Sequence, residues 1–309
     1  MTKLKVSRFN FEAMKTNSVV YVLGRRRSGK STVLKEMLFH LRRQVDAVVA
    51  FCPTIDSQTF FKKIFPDVVV HDHYDERILN QLWDFQEARM QKKLPMQRIL
   101  IVLDDCMEDK KLLTSRLMRR LHLNGRHLQF FFINIVQYMM DVPTYIRNNV
   151  EYVLCQWEPN RESRVKLFKC FFGMFDSFDD FNLVLKAVTD RFGTLIADHS
   201  GTSNCLEQAV FSYRARLDLP DFKFGSREFW KSYWRLLDNH QDRRREEQRK
   251  AQALSAASSS SASAVSRTGC PRTQMANSDV PPVPAPRSIV KKRDTAVKQQ
   301  ILQLEIEGD

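Results

Sequence analysis

Six cysteines in 309 residues, none in C-x-x-C spacing, leave this chain without the pattern of a zinc knuckle or a disulfide framework. They stand apart at Cys52, Cys106, Cys155, Cys170, Cys205 and Cys270, several in apolar stretches where a free thiol is a small core residue. That usage points to a reducing cytosolic or nuclear setting. Long apolar runs are missing too. The longest, Phe130–Val136, is interrupted by Asn134 and is far too short to span a bilayer. Residues 1–10 are basic and polar, unlike a secretory signal, so the chain reads as soluble with no integral membrane segment. His71, His73 and His127 match no metal-ligand spacing. Acidic residues are outnumbered, 36 Asp/Glu against 49 Lys/Arg, for a net charge of +13 at pH 7. Such an excess favours a polyanionic partner over a small neutral substrate. The segment from Gln241 holds 12 Lys/Arg and 8 Asp/Glu, so about +9 of the charge belongs to the folded part.

What is present is concentrated near the N-terminus. The β-branched run from Val19 feeds Leu23-Gly24-Arg25-Arg26-Arg27-Ser28-Gly29-Lys30-Ser31, followed by a helical pattern from Thr32 to Arg43. This is G-x-x-x-x-G-K-S, the phosphate-cradling loop of nucleotide triphosphatases. Glycines turn backbone N–H groups toward the β-phosphate, Lys30 supplies a cation for the β/γ oxygens, and the Ser31 hydroxyl is placed to ligate Mg²⁺. ATP and Mg²⁺ are therefore the expected ligands, cradled by Gly24 to Thr32. A second apolar run, Arg98–Leu103, ends in Asp104-Asp105-Cys106. At the C-terminal end of a parallel strand this pair faces the same crevice, with Asp104 on the metal and Asp105 polarising the attacking water. Arg25, Arg26 and Arg27 admit three readings: extra charge on the triphosphate, a basic collar toward DNA, or solvent exposure.

Periodicity alternates strand and helix, the signature of an α/β fold with a central, mostly parallel sheet. Expected strands are Ser18–Leu23, Asp46–Phe51, Arg98–Leu103, Leu128–Val136 and Glu151–Gln156, with Asp67–His71 as a further strand or edge. Helical patterns fill Ser31–Arg43, Glu76–Gln91 and Lys110–Leu123. At least one strand separates the two motifs in sequence, and the buried strand after the acidic pair ends in Gln137, a polar sensor. Helices rich in Phe follow over Arg161–Phe192, with Phe168, Phe171, Phe172 and Phe175 on a face buried against the sheet. Thr194–Asp198 and Gln208–Ala215 read as a β-hairpin with Gly201 near its turn, and Phe229–Leu237 as a closing amphipathic helix. These elements make one P-loop domain over 1–240. Residues 241–309, with a Ser/Ala tract at Ser255–Ser266 and prolines from Pro281 to Pro286, read as a disordered low-complexity basic tail.

The chain resembles the DNA-packaging ATPases of poxviruses and other large nucleocytoplasmic DNA viruses, within the FtsK/HerA group. The residues that carry this are the GKS loop, Leu103-Asp104-Asp105-Cys106, Gly125-Arg126-His127, Gln137, and Pro143-x-x-Ile146-Arg147-x-Asn149. The resemblance spans roughly Asn17–Ala215; the triple arginine and the tail lie outside it. It implies a RecA/FtsK-like three-layer sandwich and a homo-oligomeric ring that uses ATP hydrolysis to drive double-stranded viral DNA into a preformed capsid. Capsid or assembly proteins are then further partners, and the place of action is a viral factory in the host cytoplasm, the nucleus, or the virion. By matching positions, Lys30 and Ser31 bind nucleotide and Mg²⁺, Asp104 supports the metal, Asp105 is the general base, and Gln137 is the sensor. A neighbouring subunit supplies an arginine, for which Arg126 is the first candidate and Arg147 the second. The competing readings are a helicase or remodelling ATPase, a P-loop kinase of a small substrate, and a nucleotide-gated scaffold without turnover. The paired carboxylates with Gln137 fit hydrolysis of water better than a kinase or a scaffold.

Overall fold

The alternating apolar runs assemble, in a computed structural model of the chain, into a nine-stranded mixed sheet among the described residues. The structure describes residues 6–106, 112, 114–137, 143–203, 205–239, 242 and 248. Two compact units divide the chain, Met1–Phe229 and Trp230–Asp309, and the sheet belongs to the first. In the second, residues 230–239 are helical and the Trp230 and Trp234 ring centroids lie 6.1 Å apart. The expected low-complexity tail lies outside the described residues, save positions 242 and 248.

The strands are β1 Ser7–Arg8, β2 Val19–Leu23, β3 Ala47–Phe51, β4 Val70–His71, β5 Ile99–Asp104, β6 Phe130–Val136, β7 Tyr152–Cys155, β8 Thr194–Asp198 and β9 Val210–Tyr213. Their order across the sheet is β1-β9-β8-β7-β2-β6-β5-β3-β4. The β2, β3 and β7 runs are buried throughout, as strands covered on both faces must be. All neighbours pair in parallel except at β8, which runs against both β7 and β9. The five expected main strands are present within one or two residues. The expected edge piece shortens to β4 behind a 3₁₀ turn at Asp67–Val69. β8 and β9 pair as the expected hairpin does, but Leu206–Ala209 coils as a helical turn, so the second strand starts at Val210. β1 carried no signal: a two-residue exposed strand has no periodicity to read, and its partner lies about 200 residues away.

Connections of one hand then place the helices. β2 leads outward to β3 through α1, Lys30–Leu41, and β3 to β4 through α2, Ile55–Lys62. The chain returns to β5 through α3, Glu76–Gln91, and to β6 through α4, Arg116–Asn124. Opposite directions of travel with the same hand put these two pairs on opposite faces. The strand separating the two motifs in the sheet is β6, which follows the acidic strand in sequence; β3, which precedes it, lies outside. Because β2 departs toward β3 and β6 departs over β2 toward β7, a crevice opens above the C-terminal ends of β2 and β6. Open α/β sheets hold ligands at such a reversal.

The short α5, Thr144–Arg147, leads into β7, and two further helices, α6 (Arg161–Phe171) and α7 (Phe178–Thr189), follow that strand. The phenylalanines expected against the sheet divide. Phe171 meets Tyr21 of β2, whereas Phe172 and Phe175 pack on Phe181 of α7, with centroids 4.9 and 5.7 Å away. Each such buried ring contributes about 1.5–3 kcal/mol through its apolar area. Among the described residues no helix is long and apolar enough to cross a membrane.

Candidate active site

The loop after β2 is built around two glycines. Gly24 is buried, and a Cβ there would fall 2.7 Å from Ser28 Oγ and 2.9 Å from Gln156 Oε1. Those two atoms are themselves 2.5 Å apart in a hydrogen bond donated by Ser28, so the loop is fastened to the end of β7. Gly29 takes φ of +98°, open to glycine at no steric cost, and turns the chain into α1. Side chains cap the helices that begin after Thr54, Asp75, Ser115, Asn160 and Ser177. Among the described residues no side chain caps α1. Its first-turn amides and positive dipole end face the crevice, which is what an anion requires. Lys30 Nζ bends back over the loop, donating to the Gly24 carbonyl and, at 2.7 Å, to that of Arg25. Burial lowers the Lys30 pKa, opposed by the charges of Asp105 and Asp104 and reinforced by that of Arg26.

The acidic pair rises from β5 on the other side of the same crevice. Asp104 ends the strand; Asp105 sits at φ of +54°, in the left-handed region that Asp tolerates better than most residues. Its amide donates to Ile135 O at 3.1 Å, and the Gln137 side-chain amide donates to Asp105 Oδ2. Gln137 and Asp105 therefore form one unit. Burial pushes the Asp104 carboxyl up to about 6, aided by the charge of Asp105 and opposed by a hydrogen bond from Ser57 and by Lys30. Ser57 stands in the first turn of α2, whose N-cap Thr54 holds it 2.9 Å away.

A pH dependence follows from Asp104. A cation held by Asp104 would need its ionised form, so Mg²⁺-dependent nucleotide affinity should fall by up to tenfold per unit below about pH 6. Calorimetric titration from pH 5 to 8 checks this, and Asp104→Asn should flatten the profile. The folded pKa lies above the unfolded value, so the ionised carboxylate opposes folding. The nucleotide-free protein therefore gains stability from this group as pH falls from above 6 toward 4.

The residues present fit a magnesium nucleotide. The cleft has a volume of about 820 Å³, within the usual range for small-molecule sites. Gln156 is 1% exposed, and among the described residues its Nε2 is a buried donor without a hydrogen-bond partner, 3.6 Å from where a Cβ on Gly29 would stand. Lys30, Ser31, Thr32, Asp104, Asp105 and Gln137 are brought together around this space. Arg25, Arg26 and Arg27 are exposed and line it as well, while Gly24 and Ser28, in the same loop, are fastened to Gln156 beyond β7. Arg126 and Arg147 are not brought there. Arg126 is exposed in the turn Gly125–Leu128 that leads into the start of β6, the opposite end of the sheet from Gln137. Arg147 lies half-buried before β7, donating to Thr144 Oγ1 at 2.9 Å and reaching Cys170 Sγ at 3.9 Å. Sequence reading missed Ser57 and Gln156. Gln156 carried the same signal as Gln137, an amide where a buried strand leaves the sheet.

The sequence profile described as "Poxvirus A32 protein" matches residues 6–168. Among relatives, uncharacterized protein 075L of Invertebrate iridescent virus 6 is 30% identical over 222 residues, spanning 71% of this chain and 86% of that one. Uncharacterized protein L437 of Acanthamoeba polyphaga mimivirus is 26% identical over 236 residues, 74% of this chain and 82% of the other. Among solved structures, the genome packaging NTPase B204 of Sulfolobus turreted icosahedral virus 2, in complex with sulfate, overlays with a TM-score of 0.49 at 15% identity. It covers 67% of this chain and 100% of that one. The profile spans more than half of the chain, through the phosphate loop, the acidic pair and the sensor strand, and the iridescent virus relative matches over most of its own length. This chain belongs to the poxvirus A32 protein family.

Proposed function

We propose that this viral protein hydrolyses ATP in a homo-oligomeric ring and couples each turnover to movement of double-stranded DNA into a preformed capsid. The observation that carries the chemistry is the Gln137–Asp105 hydrogen bond placed across one crevice from Lys30. Lys30 and the first-turn amides of α1 offset the charge that builds on the β/γ oxygens. Asp105 accepts a proton from the attacking water, and Gln137 fixes the carboxylate and aligns that water. Ser31 and Asp104 would hold Mg²⁺, which would supply charge neutralisation on the triphosphate. The trans arginine is assigned to Arg126, exposed on its own subunit, over Arg147, whose guanidinium is engaged internally. The net charge of +13 supports the polyanionic partner. Assembly in the host cytoplasm or nucleus, with capsid proteins as further partners, belongs to the same reading.

Turnover by the full chain, measured with and without linear duplex DNA, tests this. Duplex should stimulate hydrolysis several-fold, the stimulation should fall steeply with salt, and Arg126→Ala should lose it in the assembled oligomer. Turnover indifferent to duplex would detach the basic charge from the mechanism.

A further inference from the structure

The one reversed strand brings two segments to the phosphate loop that no motif marks. β8 runs against β7, so the chain enters it beside the C-terminal ends of β2 and β7, and it leaves β9 at the same end. The segment before β8 is Asp190-Arg191-Phe192-Gly193; the one after β9 is Arg214-Ala215-Arg216-Leu217.

Both segments are fixed in unusual states. Arg191 and Phe192 sit in succession at φ of +50° and +63°. For residues without a short polar side chain that conformation is unfavourable, and it persists where the surroundings impose it. Here they do. Gly193 has no room for a side chain, since a Cβ would stand 1.9 Å from Val188 O, and Arg214 donates to Asp190 O at 3.0 Å. The outcome is a phenylalanine 70% exposed, whose Cβ would lie 3.6 Å from a Cβ on Gly29. The second segment is tied to α1. Glu36, with no exposed surface, accepts from the Arg216 amide at 2.7 Å and from its Nε at 2.8 Å. Leu217 beyond it is 88% exposed and lines the same cleft as Phe192 and Lys30. Backbone strain thus holds an aromatic face in water at the rim of a phosphate site, with an aliphatic side chain on another wall of the same cleft.

We propose that Phe192 and Leu217 form the slot that takes the nucleobase of the bound nucleotide, Phe192 as its stacking face. This rests on the nucleotide reading of the phosphate loop and adds to it the group that distinguishes a nucleotide from a bare polyphosphate. Phe-to-base stacking is worth about 1–3 kcal/mol, equivalent to about five- to a hundredfold in affinity. The slot is held open by hydrogen bonds that do not involve the ligand.

Binding of ATP and of inorganic tripolyphosphate to the full-length protein, each with Mg²⁺, separates the two readings. Phe192→Ala should weaken ATP about five- to a hundredfold and leave tripolyphosphate unchanged, while Phe192→Tyr should retain both. Leu217→Ser, on a side chain already in solvent, should show a smaller loss of the same selectivity. Equal weakening of both ligands by Phe192→Ala would mean that the ring only props the loop, and would overturn the slot. So would unchanged ATP affinity, or a change in oligomeric state alone, which would make Phe192 a subunit contact. A wild-type protein that binds neither ligand would instead overturn the nucleotide reading itself.

Discussion

Asp105→Asn should bind ATP with near-native affinity and lose turnover by about 10²–10⁴-fold, the usual contribution of a positioned general base. The substitution is clean for a structural reason. Asn tolerates the left-handed backbone at φ of +54° as Asp does, and its carbonyl oxygen still accepts the Gln137 amide. Only the charge and the basicity are removed. Single-turnover phosphate release beside an equilibrium binding titration reads the two effects apart. Nucleotide release equal to that of wild type would favour a scaffold that binds ATP without using it. Asp105→Ala is the poorer experiment, because alanine in that conformation adds strain and leaves the Gln137 donor unpaired.

Lys30→Ala should be damaging in a different way, since it acts on binding and on chemistry together. Removing one preorganised donor from a charge-developing site costs about 10²–10³ in rate, and the lost cation weakens nucleotide binding on top of this. The ammonium is poised for the role: burial lowers its pKa, and Asp105 and Asp104 hold it charged. A variant with native turnover would remove the phosphate loop from the mechanism. Thermal melting should show little change without nucleotide, because Lys30 is only half-buried and, among the described residues, its hydrogen bonds go to carbonyls of its own loop.

How much of this was legible differs element by element. β2, β3 and β5 to β7 were readable because a strand covered on both faces must be apolar almost throughout, with Asn134 in β6 and the terminal Asp104 of β5 as exceptions, and few other segments are. The phosphate loop was readable because its chemistry fixes the spacing of Gly24, Gly29, Lys30 and Ser31. The position of Arg126 could have been carried further: a turn entering β6 stands at the end of the sheet away from Gln137, so in its own subunit it does not reach the cleft. The segments around Phe192 and Leu217 were not readable. Phe192 is one of 22 phenylalanines in the chain and closes a Phe-rich helical stretch, where a ring is ordinarily core. Nothing in Arg-Phe-Gly announces two consecutive left-handed residues, because neither side chain favours that conformation; tertiary contacts impose it. The same holds for α1, whose open N-terminus is an absence of a cap and becomes informative only beside the capped helices.

The central position of β2 has a consequence for how the protein is made. Val19 pairs with Phe132 on one side, and Val20 with Tyr152 on the other. When the ribosome delivers this strand, neither partner exists. At about 5–20 residues per second, roughly 6–23 s pass before Phe132 follows Val19. During that interval a fully apolar strand has both edges unpaired, a template for pairing with other chains. The nascent chain is most exposed to aggregation before its acidic and sensor strands are complete, and the pairing of β6 and β7 on either side of β2 closes that window.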